Sequence, residues 1–167
     1  MKHAIGLSVH TGWAACVVVG GSPKKPEIVE NLELELLGDA ERFCFHMAAN
    51  MDLPAAKKWI ARVRSKASAN AKRALAPLVT KEVVGCAIVA KPGEMGPLEQ
   101  VLAAHPRIHA AEGFFYRDVL REAVKIPVQV VHPKTLDDAS VAKLAPPPWG
   151  KDQRLAALAA WSLLARR

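Results

Sequence analysis

"AIGLSVHTGWAACVVVGG" (residues 4–21) is two apolar runs joined by a small polar turn. Ile5 to Val9 and Trp13 to Val19 are rich in β-branched residues, and the "HTG" between them interrupts the apolar pattern, which is a β-hairpin signal. "GGSPKKP" marks a second turn. Beyond it "EIVENLELELL" alternates, with Ile28, Leu32, Leu34 and Leu36 set against Glu and Asn, as a half-buried strand does. The chain is therefore expected to open with three consecutive antiparallel strands.

Helical spacing follows. Asp39 is a candidate N-cap for "AERFCFHMAAN", and Asp52 with Pro54 starts a longer helix. On that helix Ile60, Val63, Ala67, Ala71, Ala74 and Leu78 share one face at the 3.6-residue period, with most basic residues opposite. "VVGCAIVA" (83–90) is continuously apolar, as in a strand covered on both sides. "KPGEMGP" reads as a loop. Residues 97–125 are helical with a break near Pro106, and Phe114, Phe115, Val119, Leu120 and Val124 form the apolar face. "PVQVVHP" is another strand, "APPP" excludes helix, and "KDQRLAALAAWSLLA" is a final helix. The order β-β-β-α-β-α-β-α predicts an α/β fold: a five-stranded mixed sheet with helices on both faces and right-handed parallel crossovers. No repeat or long linker divides the chain, so residues 1–167 read as a single domain.

The composition sets bounds. At 167 residues and 51% hydrophobic, the chain is long enough to bury a substantial core. No apolar stretch reaches the roughly 18 residues of a membrane span, and the N-terminus lacks a signal-peptide pattern. Cys16, Cys44 and Cys86 are odd in number and share no metal-like spacing, so reduced, core-filling thiols in a cytoplasmic protein are expected. The net charge is +7 and the pI about 9.5. From Leu53 to Lys81 there is no acidic residue, while Lys57, Lys58, Arg62, Arg64, Lys66, Lys72, Arg73 and Lys81 are basic. The positive charge therefore sits mostly on one helix.

The element order, residues 4–19 and the last helix with the strand before it (127–161) resemble the ribonuclease H-like superfamily, in its Holliday-junction-resolvase (RuvC-like) branch. The resemblance covers nearly the whole chain. It implies the mixed sheet above and a cluster of carboxylates around paired Mg²⁺ ions: one acid on the first strand, one at the end of the fourth, and two near the start of the last helix. Two such ions activate a water and stabilise the leaving oxygen, and hard cations need anionic oxygen ligands. Here the pattern fails in most places. Ser8 stands at the first-strand position, the fourth strand ends in Val89, Ala90 and Lys91, and Leu155 occupies one of the two last-helix positions. Asp152 alone matches. The resemblance thus implies a catalytically degenerate protein with no cofactor. Mg²⁺ belongs only to an alternative in which Glu94 and Glu112 join Asp152 in a relocated nuclease site.

The basic helix is the second candidate. Lys57, Lys58, Arg62, Lys66 and Arg73 suit a DNA or RNA backbone, against the plainer reading of a solvated helix face. Trp59 reads as a helix contact. His105 and His109 have the spacing of a helical metal pair, but Pro106 lies between them and argues against a continuous turn, so no metal site is expected. Ser8 and His10 share a strand face but lack a third, orienting group. Glu112 could line a pocket with Tyr116 or with His109, though surface pairing on a helix is the plainer reading. Three functions remain: a degenerate resolvase-like protein that binds nucleic acid, an active nuclease with a relocated site, and a non-enzymatic homodimeric interaction protein that uses the 54–78 helix or an edge strand. Only the first accounts for the basic helix.

Overall fold

The computed structural model describes residues 1–137, Leu144 and residues 149–166. Five strands form one sheet in the order β3-β2-β1-β4-β5. β1 (His3–His10), β2 (Trp13–Ser22) and β3 (Lys25–Glu35) make the antiparallel meander, and β4 (Val83–Val89) and β5 (Val128–Val131) add in parallel. β1 is central, between β2 and β4. Gly12 turns the chain between β1 and β2 at φ +85°, a conformation that favours glycine, and its carbonyl accepts the Leu36 and Leu37 N–H groups.

Alternation along the strands divides the core in two. Ile5, Leu7, Cys86 and Ile88 face the helices α2 (Leu53–Leu75) and α4 (His105–Ala123), together with Val63, Ala67, Ala71, Phe115 and Leu120. Ala4, Val17, Val19, Ala87 and Val89 face α5 (Lys151–Ala165). The helices therefore cover both faces of the sheet. Among the described residues no helix is long and apolar enough to cross a membrane. Cys16, Cys44 and Cys86 are free and buried. Burial pushes the thiols of Cys16 and Cys44 up to about 12 and that of Cys86 higher, as suits side chains that fill core volume.

Several local readings need correction. Pairing shifts at β3, where Val18 lies opposite Glu30 but Val19 opposite Ile28, so Val29 is an extra residue. The bulge inverts the alternation: Ile28 packs on the α5 side, while Leu34 is buried on the α2–α4 side. Asp39 caps no helix. It pairs with Arg42 at 2.9 Å in a series of turns, and α1 is only Cys44–Ala48. Asp52 does cap α2, accepting the Ala55 N–H at 2.9 Å, with Pro54 in the first turn. Leu78 falls past the end of α2, in a 3₁₀ turn. The break in the 97–125 region lies at Ala103–Ala104, between α3 (Leu98–Leu102) and α4. Pro106 therefore sits in the first turn of α4, where its missing N–H has no intrahelical partner to lose, and His105 and His109 lie on one continuous helix. The "APPP" segment at 145–148 lies outside the described residues.

Candidate functional site

In open α/β sheets ligands gather outside the carboxyl ends of the strands. β1 and β4 are parallel, so their carboxyl ends lie side by side, with Ser8 opposite Val89. α5 lies against β1 and runs the opposite way. Gly6 makes this approach possible: a Cβ there would come 1.8 Å from the Ala156 carbonyl oxygen. The alignment then follows from two repeats. Four helix residues rise about 6 Å and two strand residues about 6.7 Å, so stepping back one turn from Ala156 brings Asp152 opposite Ser8.

Asp152 Oδ1 accepts the Ser8 hydroxyl at 3.0 Å and lies 2.9 Å from His10 Nε2. The His10 ring stacks on Trp13, with centroids 4.4 Å apart and planes 10° from parallel. Ser8 is buried, Asp152 is 26% exposed at its side chain and His10 44%. Sequence reasoning placed Ser8 and His10 on one face but named no partner. The partner is Asp152, 144 residues away from Ser8, which only the resemblance had put at the same site.

This arrangement does not build an activated serine. A nucleophile needs its hydroxyl against the base, with the third group orienting that base. Here the carboxylate stands in the middle, the serine proton points to Asp152, and Ser8 is shielded from solvent. Nor does it fit a pair of Mg²⁺ ions. One carboxylate oxygen is shared between a hydroxyl and an imidazole, and the end of β4 offers Val89, Ala90 and Lys91.

The other sequence-named acids are placed elsewhere. Glu94 is exposed in the loop after β4, where it lines a cleft of about 220 Å³ with Met95, Gln100 and Arg107. That loop is anchored by Arg117, buried to 5% exposure, whose Nη1 donates to the carbonyls of Lys91 (3.1 Å) and Gly93 (2.8 Å) and whose Nε donates to Asp118 (2.9 Å). Glu112 is no surface residue. It is 2% exposed, and its Oε1 lies 2.8 Å from His46 Nδ1, on the opposite side of the sheet from Asp152.

On α2, Lys57, Lys58, Arg62, Lys66 and Arg73 are all exposed. They are not equivalent. Lys66 pairs with Glu41, Arg62 lies 3.9 Å from the same carboxylate and 4.7 Å over the Trp59 ring, and Arg73 donates to Asn70. Lys57, Lys58 and the neighbouring Lys72 make no ion pair among the described residues. Arg64 turns away, its Nη2 donating to both carboxylate oxygens of Glu122. Trp59 is the helix contact expected of it, donating its indole N–H to the Cys44 carbonyl at 3.0 Å. The start of α2 is thereby tied to α1.

No protein-family model matches the sequence, and no curated protein matches it. Solved structures do. RuvC of Thermus thermophilus is similar over 99% of this chain and 96% of its own, at 14% identity and a TM-score of 0.53. The same values hold for T. thermophilus RuvC in complex with a Holliday junction substrate. The fold is thus the RuvC-like, ribonuclease H-like one. At this identity the likeness extends to the fold alone.

Proposed function

We propose that this protein is a catalytically degenerate member of the resolvase fold that binds nucleic acid through α2. One observation carries the reading: Asp152, at the carboxyl end of β1, is engaged by Ser8 and His10, while Lys57 and Lys58, which make no ion pair among the described residues, lie on a helix that covers the other face of the sheet. A duplex laid along α2 would contact phosphates without approaching Asp152. Lys57 and Lys58 are the leading contacts, with Arg62, Lys66 and Arg73 beside them. Because T. thermophilus RuvC has been solved with a Holliday junction, branched DNA is the first probe to use, with duplex DNA and RNA beside it.

Fluorescence anisotropy at several salt concentrations tests binding. Each phosphate contact adds about 0.9 to the log–log salt slope on duplex DNA, so Lys57→Gln with Lys58→Gln lowers the slope by about 2. Absence of binding below roughly 100 μM at low salt, a generous floor for non-specific affinity, refutes the reading. Incubation with Mg²⁺ or Mn²⁺ and the same probes should leave them intact. Metal-dependent cleavage that disappears in Asp152→Asn establishes the nuclease alternative instead.

A further inference from the structure

We propose that His46, His105 and His109 form a binding site for a divalent transition metal of the zinc class. The site is independent of the nucleic-acid reading and lies across the sheet from Asp152. His105 is the first residue of α4 and His109 stands one turn later, on the same face of the helix. His46 comes from α1. One ring nitrogen from each lies within 4.8 Å of the others. The ring centroids are 5.2 Å (His46–His105), 4.6 Å (His46–His109) and 4.4 Å (His105–His109) apart, all three pairs edge to face. Tetrahedral zinc at about 2.05 Å from each nitrogen needs separations of about 3.4 Å, so small side-chain rotations close the set.

Two features set this apart from a chance cluster. His105 and His109 are exposed, so no demand for apolar burial draws three imidazoles together. And His46 is already oriented as a metal ligand is. Its Nδ1 is 2.8 Å from the carboxylate of Glu112, whose side chain is 3% exposed and whose oxygen also accepts the His46 backbone N–H at 3.4 Å. A carboxylate on Nδ1 orients the ring and favours the tautomer that leaves Nε2 as the lone-pair donor, which is the usual support behind a metal-bound histidine. This also gives Glu112 a reason to be buried with a charge-bearing group.

The donors decide the ion. Three neutral imidazoles suit Zn²⁺, Co²⁺, Ni²⁺ or Cu²⁺ and offer little to Mg²⁺ or Ca²⁺, which take oxygen ligands. Three protein ligands leave a fourth position for water or a small ligand. His105 and His109 are exposed, so solvent reaches the cluster directly.

Calorimetric titration of untagged, metal-stripped full-length protein with Zn²⁺, and with Mg²⁺ for contrast, tests the site. One Zn²⁺ per chain is expected, with no comparable Mg²⁺ binding. Glu112→Gln should weaken Zn²⁺ binding about ten- to a hundredfold while leaving every imidazole in place. His105→Ala and His109→Ala, at exposed positions that folding tolerates, should weaken it further, and His3→Gln should not. Cobalt(II) loaded into the wild type should show the intense visible bands of a four-coordinate ion, lost in His109→Ala. Absence of saturable Zn²⁺ binding, or equal affinity in the His105→Ala, His109→Ala double variant, overturns the proposal.

Discussion

The contact between α5 and β1 can be tested by a single methyl group. In Gly6→Ala the new Cβ would lie 1.8 Å from the Ala156 carbonyl oxygen and 2.7 Å from its carbon. Both are backbone atoms, so no rotamer relieves the clash. α5 must retreat by more than 1 Å to restore an ordinary contact of about 3.2 Å, and the buried faces of Ala156, Ala157 and Ala160 then lose close packing on the sheet. Overpacking of a filled core costs typically about 1–3 kcal/mol, and an unyielding backbone contact belongs at the upper end, about 3 kcal/mol. With a urea m-value of about 2 kcal/mol/M, the midpoint should fall by about 1.5 M at unchanged m. The same retreat separates Asp152 from Ser8 and His10, so the His10 ring resonances should shift by NMR. A loss under about 0.5 kcal/mol, within the range of ordinary surface substitutions, would show that α5 does not rest on Gly6 and would refute the alignment that places Asp152.

Three further outcomes are expected. Glu41→Gln removes the carboxylate shared by Arg62 and Lys66, so it should tighten nucleic-acid binding and steepen its salt dependence; weaker binding in anisotropy would contradict the role of α2. Ser8→Asp sets a second carboxylate about 3 Å from Asp152 in a buried position and should destabilise the fold by about 2–4 kcal/mol near pH 8, with recovery on acidification as one group takes a proton; a wild-type urea midpoint at that pH argues against the shared contact. The thiols of Cys16 and Cys44, held at about 12 in the folded chain against 9.0 unfolded, favour folding fully below pH 9. That stability is lost as pH rises from about 9 to 12, by up to about 1.4 kcal/mol per unit for each thiol, and a Cys16→Ala, Cys44→Ala variant should show a shallower decline in urea midpoint across the accessible part of this range.

The strand order was legible because apolar runs and turns are local signals. The mixed sheet followed from the element order and the resemblance, and the capping of α2 from Asp52. Asp39 misled because its side chain found Arg42 three residues away, a competing local contact that composition does not reveal. The reading of Ile28 to Leu36 failed because one inserted residue, Val29, reverses every side chain on one side of it. Pro106 was read as a helix breaker when its position in the first turn made it a helix starter. The contacts of the two polar clusters were not legible in the residues themselves, and only the resemblance put Ser8 and Asp152 at one site. Ser8 with Asp152 and His46 with Glu112 join residues 144 and 66 positions apart, and only the packing of α5 on Gly6 and of α1 on α4 brings them together.

Those clusters divide the chemistry of the molecule between the two sides of its sheet. A carboxylate near another carboxylate calls for a cation; a carboxylate near a hydroxyl and an imidazole does not. At the carboxyl end of β1 the serine donates and the histidine supplies a second donor when its proton is on Nε2, so Asp152 is satisfied by the protein itself. With Ser8 at this position there is neither a second carboxylate ligand nor the repulsion that would make an ion necessary. Across the sheet the situation is reversed. Glu112 is satisfied by His46, while His105 and His109, each with a ring nitrogen within 4.8 Å of one on His46, make no ion pair with an acid among the described residues, and a cation of the zinc class is what such a set of donors accommodates.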